Sequence, residues 1–338
     1  MWEIDNRTPF AALGYFVRDK GGLEHWVVAV RARSAMAENG LSRISDNQGD
    51  IRLAPEYSDD RAEELVSESD FSPFRPRVNF LLDGRITAPD ERSANKVHVG
   101  FEIAGHSKRA VAFGARRLRM HGGALKLDGY ETFSSCRLSW RHSLGGPDLL
   151  DPDGPAHSAN PIGKGWTAKW PRLASRSEIE MPRIENPESP IGEGSLPDPV
   201  GFGPLQPAWM PRAGHAGTYD DDWRRYEAPL LPADFSADFF QAAPEDQIFD
   251  LKGGETGRVF GLHPDGDYGF RLPQIIIEST TWIGHERIDV RPKLISVAVN
   301  GTEKTLEMLW NAAIPCEAGD MAVSKSRLHV KQMAGVLS

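Results

Sequence analysis

Cysteine is scarce in this chain, with only 2 among 338 residues. Cys136 and Cys316 stand far apart, so they supply neither the spaced pairs of a zinc site nor the close pair of a redox motif. Two reduced thiols are the expectation, as in a reducing compartment, and a disulfide between them is the alternative.

Long apolar runs and basic runs are also missing. No stretch approaches the roughly 20 apolar residues that cross a bilayer, and Met1–Asp5 lacks the basic and then apolar pattern of a signal peptide. The net charge is −9, and the densest basic stretch, Arg116, Arg117 and Arg119, predicts an exposed strand edge rather than a phosphate-binding surface. We therefore expect a cytoplasmic protein that inserts into no membrane and binds no nucleic acid.

Catalytic and nucleotide-binding motifs are absent as well, including the Gly-x-Ser-x-Gly elbow and the phosphate-binding glycine loops. Asp220–Asp222 with His215 could bind a metal, but consecutive carboxylates rarely converge on one ion, which favours an acidic turn. Glu64 and Glu68 stand at helical i,i+4 spacing, which favours a solvated face over a catalytic pair. We predict no enzyme, no cofactor and no metal. A carbohydrate-active or metal-dependent hydrolase is the alternative.

The patterns that are present are those of β-strands. Val97, Val99, Phe101 and Ile103 alternate with polar residues, which places the apolar set on one face of a sheet. A turn over residues 104–107 then returns the chain. The pattern predicts further strands at His25–Arg31, Gln274–Glu278 and in a hairpin over Leu294–Trp310, whose two-residue turn would be Asn300-Gly301. Residues 323–336 could form a strand or a helix.

Residues 146–245 differ from the rest, because proline and glycine recur every few positions. The region also carries many aromatic residues, in which disordered segments are poor. We predict ordered irregular chain packed on the sheets, with one short helix over Pro232–Gln241. The chain then has three parts: a β-rich part (1–145), this Pro/Gly/aromatic-rich region (146–245) and a second β-rich part (246–338). The expected fold is mainly β, with antiparallel, sandwich-like sheets and little helix.

A series of Pro/Gly/aromatic segments follows a specific order along the chain. The segments are Glu68–Arg77, Val78–Gly84, Asn160–Gly165, Pro182–Pro187, Gly201–Leu205, Trp209–Arg212, Pro229–Phe235, Phe239–Pro244 and Leu251–Glu255. From about Pro9 to Pro273 this series resembles the domain-of-unknown-function family numbered 2169. Leu138–Gly146 departs from the family, in which a Tyr-Glu-Arg-like pattern ending in Phe-Gly-Gly is expected.

The resemblance implies a function and partners. Members of that family are encoded beside type VI secretion components and are regarded as adaptors or chaperones that load toxic effectors onto the spike. The implied partners are a secreted toxin effector, a PAAR-repeat spike-tip protein, or both. A structural component of the spike is a further alternative. The family offers no accepted catalytic residues to carry over.

Loops are where binding usually occurs on a rigid sheet scaffold. We therefore take as candidate protein-binding residues the charged and aromatic residues that lie in, or close to, the loop segments of this Pro/Gly/aromatic series. They are Asp70, Phe71, Phe74, Arg75, Trp166, Trp170, Trp209, Tyr219, Asp220 and Trp223. The alternative for each is packing within the chain, because Pro/Gly-rich motifs often stabilise a fold.

Overall fold

The computed structural model describes residues 2–58, 64–89, 92–121, 124–129, 131–168, 178–191, 196–317 and 322–337. Of these residues 45% are in strands and 7% in helices, and most strand pairs are antiparallel. The expectation of a mainly β fold with little helix is therefore confirmed.

The strands are β1 (Glu3–Asn6), β2 (Ala11–Arg18), β3 (Glu24–Met36), β4 (Ser42–Ile44), β5 (Glu56–Tyr57), β6 (Leu65–Ser67), β7 (Val78–Asp83), β8 (Arg85–Thr87), β9 (Lys96–Ile103), β10 (His106–Phe113), β11 (Arg117–His121), β12 (Ala124–Asp128), β13 (Ser135–Arg137), β14 (Leu144–Gly145), β15 (Lys164–Gly165), β16 (Glu178–Glu180), β17 (Ile184–Glu185), β18 (Ile248–Phe249), β19 (Thr256–Phe260), β20 (Tyr268–Arg271), β21 (Gln274–Ile283), β22 (Glu286–Val290), β23 (Lys293–Asn300), β24 (Thr305–Pro315) and β25 (Val323–Ala334). The helices are α1 (Asp221–Tyr226) and 3₁₀ turns at Trp140–His142, Arg212–His215, Ala237–Phe240 and Glu245–Gln247.

The largest sheet has seven strands in the order β18-β7-β23-β24-β3-β2, with β4 paired to β3. Its strands come from both ends of the chain, and β7 and β23 are parallel while their neighbours are antiparallel. A five-stranded sheet has the order β17-β10-β9-β19-β20, and a four-stranded sheet the order β1-β25-β21-β22. Strands of the first and third predicted parts thus pair within one sheet, while the division into three parts itself stays a prediction.

One hydrophobic core joins the three larger sheets. Phe80 of β7 lies against Phe101 of β9, with ring centroids 4.5 Å apart, and against Phe249 of β18 at 5.9 Å. Fully burying such a ring contributes about 1.5–3 kcal/mol. Trp26 of β3 donates its indole N–H to Ser326 Oγ of β25 at 2.8 Å, which links the seven-stranded sheet to the four-stranded one.

The strand predictions are confirmed, and two turns are corrected. The β9–β10 turn is Ala104-Gly105 alone, because His106 and Ser107 already pair with β9. Alternate residues of β9 are buried as expected, and the uncertain segment near the C-terminus is the strand β25. The β23–β24 hairpin turns through four residues, Gly301–Lys304, rather than two. Asn300 Oδ1 accepts from the backbone N–H groups of Thr302 and Glu303, which stabilises the longer turn.

Two predictions of exposed charge need correction, although Arg117 of the basic stretch is exposed as predicted. Arg116 is buried, where its guanidinium lies over the Phe113 ring and pairs with the carboxylate of Glu185. Glu64 is also buried, where it accepts from Ser139 Oγ at 2.7 Å and from the backbone N–H of Trp140 at 2.9 Å. In both cases hydrogen-bonding partners that are distant in sequence satisfy the buried charged group.

The described residues of the Pro/Gly-rich region, 146–168, 178–191 and 196–245, are largely irregular, as predicted. Within Pro232–Gln241 the helical part is a single 3₁₀ turn, Ala237–Phe240. The acidic cluster begins the short helix α1 rather than a turn, because Asp220 Oδ1 accepts from the backbone N–H of Trp223 at 2.8 Å and caps it.

Candidate functional site

The seven-stranded sheet has a polar second face. Side chains alternate along a strand, so that the neighbours of the buried core residues point to the opposite side. Two rows of paired residues cross β7, β23, β24 and β3 on this face. The rows are Asn79, Ser296, Leu309 and Arg31, and then Leu81, Ala298, Glu307 and Arg33.

The segments 51–58 and 64–75 pass over this polar face and partly cover it. Asp70 ties them together, because its Oδ2 accepts from the backbone N–H of Arg52 at 2.7 Å and its own N–H donates to the Arg52 carbonyl at 2.9 Å. The Phe71 ring stacks on Tyr15 of β2, with centroids 4.1 Å apart. A cavity of about 200 Å³ remains between the cover and the sheet. We call it the arginine cavity, after Arg31, Arg33, Arg52 and Arg75, which line it.

Three deeply buried side chains in the arginine cavity have unused hydrogen-bonding atoms. Arg31 Nη1 lies 3.5 Å from Asp70 Oδ2, but neither this nitrogen nor Nε makes a hydrogen bond. Arg75 donates from Nε to the Phe240 carbonyl at 2.9 Å, while its Nη2 makes none. Both amide atoms of Asn79 lack a partner among the described residues. The exposed fractions of the three side chains are 7%, 2% and, for Asn79 as a whole residue, 1%.

Two carboxylates of the cavity are hydrogen-bonded to arginines. Glu68 receives two hydrogen bonds from Arg212, at 2.7 and 3.1 Å, and Glu307 receives one from Arg52 at 2.6 Å. The cavity is lined by four guanidinium groups, those of Arg31, Arg33, Arg52 and Arg75, and by five carboxylates, those of Glu68, Asp70, Asp83, Glu303 and Glu307, which is a formal charge of 4 − 5 = −1. Burial raises the pKa of Asp70 and lowers the pKa of Arg75. Arg31, Arg52 and Arg75 each face a carboxylate of the same cavity, so these charges are compensated within the fold.

Asp70 and Arg75, two of the candidate binding residues, meet at this cavity. Phe71 and Phe74 hold the cover in place, Phe71 through Tyr15 and Phe74 through edge contacts to His25 and Phe240 at 5.3 and 6.2 Å. The first group of candidates thus faces inward. Whether it contacts a partner stays a prediction.

Residues 218–230, which we call the aromatic projection, carry the second group of candidates. Tyr219 packs edge-on against Trp223 of α1 at 4.7 Å, and the Trp223 indole N–H donates to the Leu230 carbonyl at 2.9 Å. Tyr219, Tyr226 and Leu230 are 49%, 74% and 39% exposed. The projection therefore presents apolar and aromatic surface to solvent.

The aromatic projection is anchored at both of its ends. Thr218 donates from its N–H and its hydroxyl to the Asp234 carboxylate, at 2.9 and 2.8 Å. Lys20, in the β2–β3 turn, donates to the carbonyls of Ala233 and Phe235 just beyond it. Leu230 packs over Gly22 in the same turn, where an added Cβ would lie 2.8 Å from its Cδ2.

The tryptophan candidates have different environments. Trp209 is buried and packs edge-on against Trp140 at 6.1 Å, which is a core contact. Trp166 is half-buried against His157 at 5.1 Å. Trp170 lies outside the described residues.

Sequence reasoning missed Arg31 and Asn79, the residues that distinguish the cavity. A signal was present, since each is a polar residue inside an otherwise apolar strand, in Trp26–Arg31 and Val78–Leu82. It could not be interpreted without the pairing of β7 and β3 through β23 and β24. The described residues contain no cluster of His, Cys, Asp or Glu that could hold a metal ion.

The fold and these sites define a β-rich protein with a polar cavity under one segment and an exposed aromatic projection on another. A family model described as "Uncharacterized protein conserved in bacteria (DUF2169)" matches residues 21–311, which is most of the chain. The protein belongs to this family. No curated protein and no solved structure matches the chain. Among the described residues, no helix has the length and apolar character needed to cross a membrane.

Proposed function

We propose that this protein is a non-enzymatic cytoplasmic adaptor or chaperone. In this role it binds a toxic effector and assists its loading onto the type VI secretion spike, at the PAAR-repeat tip. Family membership supports the proposal, because the resemblance implies that role for its members.

The observation that carries the proposal is the aromatic projection. Tyrosine and tryptophan are enriched where proteins bind one another, and apolar side chains grouped in one exposed place mark such surfaces. Tyr226 is 74% exposed, and Leu23 in the β2–β3 turn adds a side chain that is 36% exposed. The exposed Asp221 and Asp222 beside them, with the net charge of −9, suit a basic partner, since charge complementarity steers encounter.

The test is co-expression with the neighbouring genes, followed by affinity purification through this chain. We expect an effector, a PAAR-repeat protein or both to co-purify or to gain solubility. The double variant Tyr226→Ser with Leu230→Ser should reduce recovery of the partner about tenfold or more, which is the loss typical of central interface side chains.

Met333→Ser is the matched control, because Met333 on β25 is a large apolar side chain with 44% exposure outside the projection. It should leave recovery unchanged. If neither protein co-purifies with the unmodified chain, the adaptor function is wrong. If Met333→Ser alone reduces recovery, the partner binds elsewhere.

A further inference from the structure

We propose that the outer edge of β2 binds an extended segment of a partner protein, which adds to the seven-stranded sheet as a further strand. This inference rests on the proposed function, because it specifies what the partner presents to the chain. β2 lies at the end of the sheet, and among the described residues only β3 pairs with it. None of the described residues forms a hydrogen bond with its outward backbone groups. The edge therefore offers a row of donors and acceptors to another strand.

Gly14 shows that the backbone of this edge is accessible. Its Cβ position is filled, since an added Cβ would lie 2.2 Å from the Trp26 ring and 2.9 Å from Ile4 Cδ1. Gly14 is nevertheless only half-buried, as are all the residues of Ala11–Val17. A glycine has no side chain to expose, so its exposed surface is main chain. The next strand inward, by contrast, is fully covered over Trp26–Val30.

β2 differs from the edge strands at the other ends of the three larger sheets. Its 8 residues pair with β3 in one continuous register, and Ala11–Val17 contain neither proline nor a charged side chain. Of the other edge strands, β17 and β18 have 2 residues each, and β1 has 4. β22 has 5 residues, of which Glu286, Arg287 and Asp289 are charged, and β20 already donates outward to the Gly40 carbonyl. Natural sheets protect exposed edges by such means, so a long, regular and uncharged edge indicates a place for pairing with another chain.

The surroundings of β2 favour a segment with β-branched or aromatic side chains on both of its faces. On one face, Trp2 packs edge-on against Phe16 at 5.1 Å and is 48% exposed. On the other face, Leu13 and Val17 are half-buried on either side of Tyr15. β-branched and aromatic residues suit such half-covered sheet positions. The occupant is therefore an extended segment that is rich in these residues.

Charge favours a partner protein over a second copy of this chain. Each copy carries a net charge of −9, so two copies repel one another. The edge also leads into the β2–β3 turn, on which the aromatic projection is anchored through Lys20 and Leu230. Helix α1 of the projection begins with the exposed Asp221 and Asp222. A basic residue at the end of the segment nearest this turn therefore complements the acidic surface.

Hydrogen exchange of the full chain tests the proposal with a synthetic probe. The probe is a blocked peptide as long as β2, of alternating valine and threonine with a lysine at each end. The control peptide has the same side chains and an N-methyl group on every backbone amide, so it cannot donate to an edge. We expect the probe to slow exchange of the outward β2 amides saturably and to bind about tenfold or more tightly than the control. The amides of β22 should not change.

Leu13→Lys tests the edge from the side of the protein. A lysine on an edge strand opposes pairing with a further strand, and from this half-buried position its ammonium group can stay in water. The variant should weaken binding of the probe about tenfold. Ile288→Lys is the matched control, a half-buried apolar position on the edge strand β22, and should leave binding unchanged.

The comparison of the two peptides needs no variant, so it decides the proposal even if Leu13→Lys does not fold. No protection of β2 by the probe, equal binding of the two peptides, no loss in folded Leu13→Lys, or an equal loss in Ile288→Lys would each overturn the proposal. A dimer mass by light scattering for the free chain, with the outward β2 amides already protected, would show that a second copy occupies the edge and would also overturn it. The titration contains no partner protein, so failure here is distinct from failure of the adaptor function.

Discussion

Two loop segments of this protein use charged and aromatic residues in opposite ways. Residues 64–75 turn Glu68, Asp70 and Arg75 inward onto the polar face of the seven-stranded sheet, with Phe71 stacked on Tyr15. Residues 218–230 expose Tyr219, Tyr226 and Leu230 and keep only Trp223 and Glu227 half-buried. The same residue types therefore pack within the fold in the first segment and expose apolar and aromatic surface in the second. The difference lies in what is beneath each segment: a polar sheet face in one case, a β-turn in the other.

The largest expected effect comes from removing a charge of the inward segment. Glu68→Ala leaves Arg212 and Arg75 without their nearest carboxylate, at side-chain exposures of 4% and 2%. Loss of one partner of a buried ion pair costs about 3–5 kcal/mol of unfolding free energy. Urea denaturation measures this loss. The matched change on the projection, Asp221→Ala, removes an exposed partner of Arg224 and should cost about 0.5 kcal/mol or less. Equal losses in the two variants would remove the distinction between the segments.

The cap of α1 should have an intermediate effect. Asp220→Ala removes the side-chain acceptor for the Trp223 N–H, and loss of such a cap costs about 1 kcal/mol. Hydrogen exchange of the α1 amides should accelerate by the factor that corresponds to this loss of free energy. The amides of β7 should stay protected. Acceleration throughout the chain would mean that the projection is coupled to the core.

A pH dependence should separate Asp70 from carboxylates whose pKa is lowered, such as those of Glu278 and Asp289. Burial raises the pKa of Asp70, so the unfolded chain releases this proton at a lower pH than the native chain. Its ionisation therefore reduces stability as the pH rises from the ordinary Asp range through the native pKa. Asp70→Asn keeps an acceptor for the Arg52 N–H and removes the ionisation. The stability of the variant relative to the natural chain should increase across that window, as measured by urea denaturation at several pH values. A decrease would show that the cationic neighbours outweigh desolvation.

The smallest effect on stability is expected on the projection itself. Tyr226→Ser with Leu230→Ser removes side chains that are 74% and 39% exposed, so the unfolding free energy should change by about 0.5 kcal/mol or less. The same variant is expected to reduce recovery of the partner. Thermal unfolding measures the stability of the variant, and co-purification measures its recovery of the partner, so the two effects can be separated. A large loss of stability would place these side chains among the structural contacts of the fold.

Much of the fold could be predicted because local alternation controls it. The buried positions of β9, the β23–β24 strands and the ordered nature of the Pro/Gly-rich region all depend on patterns within a few residues. The length of the β23–β24 turn was predicted wrongly, because its glycine is needed for the close approach of another segment of the chain. An added Cβ at Gly301 would lie 2.5 Å from Leu262, a residue distant in sequence. The acidic residues Glu64 and Glu68 were misplaced for the same reason, since their partners Trp140 and Arg212 are far along the chain.

The sequence alone determines the order of side chains along each strand. It also contains the series of segments that marks the family. They place Asp70 and Arg75 among the candidate residues, and they establish a mainly β protein. The arginine cavity depends instead on the parallel pairing of β7 with β23 and the pairing of β3 with β24, which align Asn79 with Arg31. Register between distant strands is set by the packing of whole faces and not by any local pattern. Tertiary structure therefore determined which charges are buried and which carboxylate compensates each of them.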